Sequence, residues 1–267
     1  MVNSSDNFGA TRRQLFKLAM AGSASAAFIA SSMPAEADPF MPSIAQQKTL
    51  GAQAAQQVLK KYKELHDSRA VRFKHIGANL VNALSPHDRN TWNFSFHVIE
   101  SQQVNAFALP GGPMFMYTGL MDHLSNNSQI AGVTGHEMAH VRLQHWAKSY
   151  ANEQERNLGL SLLLGLTHAS STVQKLASVG DSLYTLHYSR HDERQADENG
   201  LANMVAAGYN PEGMIQLFTV LERLSSSQPP AFLSDHPLTS ARIADVRRLI
   251  DQLYSQDLKR PMAGLNG

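Results

Sequence analysis

The sequence predicts an α+β fold that is mostly helical and has one small antiparallel sheet beside a helix that carries two histidines. Apolar residues recur every three or four positions over most of the chain, which is the spacing of amphipathic helices. Between Trp92 and Val98 apolar and polar residues alternate instead, as they do in half-buried strands. With 267 residues and 43% hydrophobic content, the chain can bury one sizeable core, so we expect a single domain over residues 38–267.

Residues 1–37 have the order of a cleavable targeting signal. Arg12 and Arg13 precede a mildly apolar run over residues 18–33, and a small-residue site of the A-x-A type follows at 35–37. Paired arginines in this place indicate a twin-arginine signal, which predicts export of the folded chain, to the periplasm or otherwise out of the cytoplasm. An uncleaved membrane anchor is the alternative, but a spanning helix needs about 20 strongly apolar residues.

The first half of the mature chain is predicted to contain two helices followed by three strands. Apolar positions indicate helices over residues 44–66 and 71–84. Strands are expected at 92–98, 104–109 and 114–117, the last two of them joined by a turn with the sequence Pro-Gly-Gly-Pro. Together they would form the small antiparallel sheet.

The second half returns to helical periodicity. One helix is predicted from Ile130 to Gln144, with capping candidates at 126–128. A second begins at Ser189, which has capping-box spacing with the acid three residues later, and ends at Gly208. Two further helices are expected over residues 211–224 and 239–254.

Composition excludes several classes of partner and ligand. Lysine and arginine total 23 against 22 acidic residues, so no basic excess is present for nucleic acid. The chain has no cysteine, so a metal would have to be held by nitrogen and oxygen atoms. The apolar stretch at 158–166 is too short to cross a bilayer and is predicted to be a buried helix, so no stable span is expected in the mature chain.

The sequence His136-Glu137-Met138-Ala139-His140 is an HExxH motif on a predicted helix. His136 and His140 are one helical turn apart and project from one face, so they can share a metal ion. Glu137 lies at the edge of that face, where its carboxylate can take a proton from a zinc-bound water without binding the ion. Such a glutamate assists the attack of that water on a peptide carbonyl.

A catalytic zinc usually takes a third protein ligand, and Glu193 is the candidate. It lies on the helix that Ser189 is predicted to cap, and Asp197 follows four positions later on the same face. Asp197 could therefore orient a ligating imidazole by a hydrogen bond. The alternative is that Glu193 and Asp197 are solvated charges on a polar helix face.

Several segments together resemble the gluzincin peptidases of the M48 group. The resemblance covers roughly residues 44–250, in the family's order. It implies a zincin-like fold and a metalloendopeptidase activity. The segments that carry it are HExxH, Ser189-Arg190, Glu193-Arg194-Gln195-Ala196-Asp197 before Gly200, Asp235-His236-Pro237 with Arg242, and Asn105-Ala106-Phe107-Ala108-Leu109-Pro110-Gly111-Gly112.

The resemblance also implies the role of each site residue. His136, His140 and Glu193 would be ligands of one zinc ion per chain, Glu137 the general base, and Asp197 the support of a ligand. His236 and Arg242 would face the cleft and stabilise the oxyanion of the tetrahedral intermediate. An ordinary loop at His236 and a surface charge at Arg242 are the alternatives.

Asn105, Ala106 and Phe107 are expected to bind substrate. They would offer an unpaired strand edge to an extended peptide, which suits an unfolded protein or peptide. A purely structural strand is the alternative. We therefore predict an exported zinc endopeptidase for unfolded or damaged cell-envelope proteins. The second hypothesis is a zinc-stabilised periplasmic chaperone or assembly factor with latent or little peptidase activity.

Overall fold

The structure is a computed structural model that describes residues 38–163, 188–226 and 230–262. The predicted signal at residues 1–37 lies outside these ranges, and so does the end of the apolar stretch, residues 164–166.

Helices make up most of the described chain. The first five are α1 Ile44–Lys61, α2 Ser68–Asn82, α3 Pro86–Thr91, α4 Thr118–Met121 and α5 Asn127–Arg142. The remaining five are α6 His145–Leu163, α7 Arg190–Ala206, α8 Glu212–Ser225, α9 Ala231–Asp235 and α10 Ser240–Leu253. This content agrees with the predicted α+β class.

The sheet is mixed, so the prediction of an antiparallel sheet was wrong in this respect. Its strands are β1 Glu64–Leu65, β2 Ser95–Ile99, β3 Ala106–Ala108 and β4 Pro113–Tyr117, in the order β1-β2-β4-β3. β3 and β4 form the expected antiparallel hairpin, but β4 returns between β2 and β3 and therefore runs parallel to β2. Periodicity predicts strands but not which of them become neighbours.

Further differences lie in the first half of the chain. The helix predicted over 44–66 ends at Lys61, because Glu64 and Leu65 pair with β2 as a short strand. The helix α3, which begins with a proline behind the cap Ser85, was not predicted.

α5, the HExxH helix, lies in the centre of the molecule. Every residue from Ser128 to Val141 is buried, and α7, α8, α2 and β3 pack around it. A capping box between Asn126 and Gln129 begins the helix, which is the capping predicted from the sequence. A helix buried on all sides holds its side chains in fixed positions, as a catalytic site requires.

The sheet separates two apolar clusters. Met114 and Met116 of β4 point into the larger cluster, which contains α2, α5, α7, α8 and α10. Phe115 and Tyr117 point the other way, into a smaller cluster formed with α1 and the start of α6. β3 is the last strand in the sheet order. Its position is fixed because it contacts both β4 and α5.

The helices of the second half begin and end close to their predicted bounds. Ser189 caps α7 and forms the expected capping box with Asp192. Gly208, at φ 89°, follows the end of that helix in the left-handed conformation that glycine tolerates. Thr239 caps α10. In the part of the chain that the structure describes, no helix has both the length and the apolar character needed to cross a membrane.

Candidate metal centre and active site

Four side chains bring ligand atoms together between α5, α7 and the loop after α9. The Nε2 atoms of His136 and His140 are 3.1 Å apart. The carboxylate oxygens of Glu193 lie 3.6 Å from the first and 3.5 Å from the second of these nitrogens. His236 Nδ1 lies 2.9 Å from Glu193 Oε1 and 3.3 Å from His136 Nε2. One ligand atom from each residue lies within 4.8 Å of the others.

This group fits a single divalent cation. Four nitrogen and oxygen ligands around a tetrahedral zinc lie about 3.3–3.6 Å from one another, because each is about 2.0–2.2 Å from the ion. The observed separations of 3.1 to 3.6 Å among the donors of His136, His140 and Glu193 are close to that spacing. Each of these three residues is at most 3% exposed, so the ring nitrogens and the carboxylate converge in a dry environment.

Two glycines allow the helices that carry these ligands to touch through their backbones. A Cβ atom on Gly200 of α7 would lie 2.7 Å from the backbone nitrogen of His136, and one on Gly135 of α5 would lie 2.8 Å from the carbonyl oxygen of Gly200. Neither position has room for a side chain. This close approach places Glu193 opposite the two histidines.

His136 is oriented by a charged pair. Its Nδ1 lies 3.0 Å from Asp197 Oδ1, and Arg242 donates to both oxygens of Asp197 through Nε and Nη2, each at 2.7 Å. Burial by itself would raise the pKa of Asp197, but the hydrogen bonds from Arg242 and His136 outweigh it and lower that pKa. Asp197 is therefore held as an anion and can accept from the imidazole.

Arg242 faces the carboxylates of the site. Its Nη1 lies 2.6 Å from Glu193 Oε2 and also donates to the carbonyl oxygen of Pro237 at 2.9 Å. Burial opposes ionisation of Glu193, but the hydrogen bond from His236 and the charges of the neighbouring bases lower its pKa. The oxyanion role that the family resemblance implies for Arg242 stays a prediction; in the structure its donors face Asp197, Glu193 and Pro237.

His140 has a different partner, His145, to which the sequence analysis assigned no metal role. Its Nδ1 lies 2.9 Å from Nδ1 of His145, a fully buried residue. His145 Nε2 lies 3.2 Å from Gln195 Oε1 and 3.7 Å from Asp192 Oδ1, both on α7. The sequence places His145 five residues after His140, but the turn at Gln144, a residue with φ 57°, is seen only in the structure. That turn sends the first residue of α6 back toward α5.

Glu137 lies beside the metal centre without joining the donor group. Its Oε2 accepts a hydrogen bond from the backbone N–H of Ala108 at 2.9 Å. Its Oε1 is buried, accepts no hydrogen bond within the described ranges and lies 3.4 Å from His236 Nε2. Burial raises the pKa of this carboxyl group, so Glu137 is able to hold a proton.

His236 is the fourth residue of the donor group and lies on the loop after α9. Its ring stacks on Phe232 at 4.7 Å and on Tyr188 at 5.3 Å, and the Tyr188 ring also lies 4.0 Å from that of His140. Burial by itself would lower the pKa of His236, but the carboxylates of Glu137 and Glu193 outweigh it and raise that pKa. Tyr188 is a second neighbour of the site that the sequence did not indicate.

The predicted substrate strand lies at the edge of the sheet beside Glu137. Phe107 pairs with Phe115 of β4, and the backbone oxygen of Asn105 accepts from Tyr117. Because backbone groups alternate in direction along a strand, those of Ala106 and Ala108 face the outer edge of β3. No described strand pairs with that edge.

The sequence matches the model of peptidase family M48 over residues 68–250. The chain belongs to family M48. This match decides the family because it covers more than half of the chain and includes every residue of the metal centre.

Named relatives of this M48 chain are metalloproteases or assembly proteases. It is 29% identical over 218 residues to the metalloprotease LoiP of Escherichia coli (strain K12), covering 80% of this chain and 83% of the relative. It is 31% identical over 174 residues to the beta-barrel assembly-enhancing protease of Escherichia coli O157:H7, covering 60% of this chain and 35% of the relative. The M48 chain thus spans about a third of the length of the assembly-enhancing proteases that it matches.

A third relative, the mitochondrial metalloendopeptidase OMA1 of Arabidopsis thaliana, is 29% identical over 140 residues, which is 52% of this chain and 28% of the relative. The comparisons confirm the predicted family and the metallopeptidase class. The structure brings together all the residues predicted for the M48 metal centre. Their individual roles stay predictions.

Proposed function

We propose that the chain is a zinc-dependent endopeptidase that hydrolyses peptide bonds of unfolded or damaged cell-envelope proteins. One observation carries this proposal. The donor atoms of His136, His140 and Glu193 converge beside Glu137, a buried carboxyl group that is not one of the converging donors. The names of the metalloprotease and assembly-enhancing protease relatives support the peptidase activity and the envelope substrates.

In this proposal His136, His140 and Glu193 hold one zinc ion per chain. When bound, zinc makes a water molecule more acidic and polarises a carbonyl group. The positions of the three ligands are fixed by the fold, because the backbones of α5 and α7, which carry them, are in contact.

Glu137 carries the proton during the reaction. Its Oε1 is buried and accepts no hydrogen bond among the described residues. It can therefore take a proton from the attacking water at Oε1 and deliver it to the leaving amine. The hydrogen bond from Ala108 holds the other oxygen, so the carboxyl group keeps one orientation.

His236 and Arg242 have different parts in this proposal. His236 Nε2 lies on the Glu137 side of the site, 3.4 Å from Oε1, and a protonated His236 could donate to a developing oxyanion there. Arg242 acts through Asp197 and Glu193, since its donors are directed at those carboxylates and at Pro237.

The substrate would bind as an added strand beside β3. The outward N–H and carbonyl oxygen of Ala106 and the outward carbonyl oxygen of Ala108 offer hydrogen bonds to an extended peptide, while the Ala108 N–H donates to Glu137. The pairing of Asn105 and Phe107 with β4 fixes the strand. Because such pairing reads the backbone, it suits unfolded proteins of varied sequence.

The test is casein hydrolysis by the purified full-length chain and its Glu137→Gln variant, each with its zinc content measured. We expect one zinc per chain in both and a loss of about 10²–10⁴-fold in turnover for the variant, the usual contribution of a general base. Glu198→Gln makes the same chemical change on the exposed face of α7 and should leave turnover unchanged. Equal turnover of wild type and Glu137→Gln would contradict the mechanism.

A second candidate function, a latent or assembly-factor state, is favoured by the position of His236. Its Nδ1 belongs to the four-donor group, and it is 3% exposed. A fourth protein ligand would occupy the place that water needs. If this state predominates, His236→Ala should raise casein hydrolysis while zinc stays bound. A fall in hydrolysis with zinc still bound would instead show that His236 assists the chemistry.

We also propose that the chain is exported by a twin-arginine signal over residues 1–37. Arg12 and Arg13 and the small-residue site at 35–37 support this proposal. Replacing both arginines with lysine should retain the precursor in the cytoplasm, as measured by fractionation. The matched change, Lys17→Arg, should leave export unchanged. Export of the double-lysine variant at the wild-type level would contradict a twin-arginine route.

A further inference from the structure

We propose that His145 is a positioning residue that fixes the ring of His140 in the tautomer and orientation needed to bind zinc. The proposal rests on the proposed function, since it assigns His140 as a ligand. It adds a residue that lies outside the HExxH motif and belongs to the next helix, α6.

The direction of the hydrogen bonds follows from a single requirement. A ligating Nε2 of His140 must offer its lone pair to the ion, so the proton of this neutral ring sits on Nδ1. That N–H points at His145 Nδ1, 2.9 Å away. His145 must then accept with Nδ1 and carry its own proton on Nε2. The position of one proton thus determines the position of the next.

The second proton also has an acceptor. His145 Nε2 lies 3.2 Å from Gln195 Oε1 and 3.7 Å from Asp192 Oδ1. The amide oxygen is the nearer partner and accepts without requiring a charge on His145.

The local structure holds His145 rigidly in this place. The residue is fully buried at the start of α6, directly after the left-handed turn at Gln144. Gln195 and Asp192 belong to α7, and Asp192 is itself held by the capping box with Ser189. His145 therefore connects the end of α5, the start of α6 and the first turns of α7 at one ligand of the metal.

Two amide substitutions separate the two contacts of the His145 ring. The side-chain oxygen of asparagine can lie where histidine has Nδ1, so His145→Asn can still accept from His140. Glutamine is one methylene longer and places its amide near the Nε2 position, so His145→Gln keeps the contact with Gln195 and loses the one with His140. His145→Phe keeps a ring and removes both contacts, and His191→Phe changes an exposed histidine of α7 as a control.

The measurement is the zinc dissociation constant of the full-length chain, obtained by competition with a chelator. His145→Gln and His145→Phe should weaken zinc binding by about 10–100-fold, the usual effect of removing the partner of a ligating imidazole. His145→Asn should restore binding to near the wild-type value, and His191→Phe should not change it. Thermal melting of the zinc-free proteins shows which variants fold, and the Asn and Gln pair decides the question if the Phe variant does not.

Two results would overturn the proposal. One is wild-type zinc affinity in the folded Gln variant. The other is equal weakening in the Asn and Gln variants, which would mean that packing rather than the acceptor matters. If the wild-type chain binds zinc and hydrolyses casein in either case, the proposed function stands and only the role of His145 is lost. If the wild-type chain binds no zinc, the proposed function fails and the role of His145 fails with it.

Discussion

The two histidines of the HExxH helix are supported in opposite ways. His136 is held by ions, because its Nδ1 faces Asp197, whose carboxylate accepts two hydrogen bonds from Arg242. His140 is held by neutral groups, because its Nδ1 faces His145, which in turn faces the amide of Gln195. His145, Asp197 and Arg242 are buried, and both supports reach α7 from α5.

The difference indicates which side of the site contributes to the stability of the fold and which side mainly affects zinc binding. A buried ion pair is costly to interrupt, since removing one partner leaves the other charged and unpaired in a dry place. A neutral hydrogen-bonded chain loses less when one member is changed. We therefore expect changes on the His136 side to affect folding as well as zinc binding, and changes on the His140 side to affect mainly zinc binding.

The largest effect is expected from Arg242→Leu. The change leaves the carboxylates of Asp197 and Glu193 buried without their cation, which should lower the free energy of unfolding of the zinc-free chain by about 3–5 kcal/mol. Urea denaturation measures this loss. Arg247→Leu on the same helix removes an exposed contact with Glu212 at 3.8 Å and should change stability by less than about 0.5 kcal/mol. Similar losses of stability in the two variants would contradict the expectation that the buried ion pairs on the His136 side are costly to interrupt.

Asp197→Asn should have the next largest effect. The amide keeps the shape of the side chain but weakens acceptance from His136 and Arg242, so we expect zinc binding to weaken by about 10–100-fold and the zinc-free chain to become less stable. Chelator competition and urea denaturation measure the two effects. Asp245→Asn changes a partly exposed aspartate that pairs with Arg248 and serves as the control. Loss of zinc affinity without loss of stability would mean that the charged side behaves like the neutral one.

The smallest effect is expected from Ser189→Ala. Ser189 caps α7 next to Asp192, and Ser43 caps α1 in the same way with its own capping box. Each alanine variant should lower the free energy of unfolding by about 1 kcal/mol. Zinc binding should weaken only in Ser189→Ala, because α7 carries Glu193. An equal change of zinc affinity in Ser43→Ala would show that the effect is a general loss of stability.

Local signals in the sequence predicted most of the helices. The capping residues Asn126 and Ser189 gave the starts of α5 and α7 within a few residues, because a cap acts on its own backbone. The mixed sheet was not predictable in this way. The pairing of β4 with β2 is a long-range contact that periodicity within a strand does not encode. β1 was missed for the same reason, since its two residues become a strand only by pairing.

The metal centre shows the same division. The HExxH motif could be recognised because a helix by itself brings its two histidines together. The family resemblance indicated that Glu193, Asp197 and His236 lie near them. The contacts of the Arg242 guanidinium could not be predicted from the sequence, because they depend on how α10 packs on α7. The contact of His145 with His140 could not be predicted, because it depends on the turn at Gln144 and on a contact with α7.

The contact between Gly135 and Gly200 also bears on which ion the site can hold. Since the two backbones already touch, the gap between the ligands cannot shrink, and it can widen only if the helices move apart. Calcium needs longer bonds and more oxygen ligands than zinc. Alanine at Gly200 would push the helices apart and lengthen the distances between the ligand atoms, so that single methyl group should weaken zinc binding without creating a calcium site.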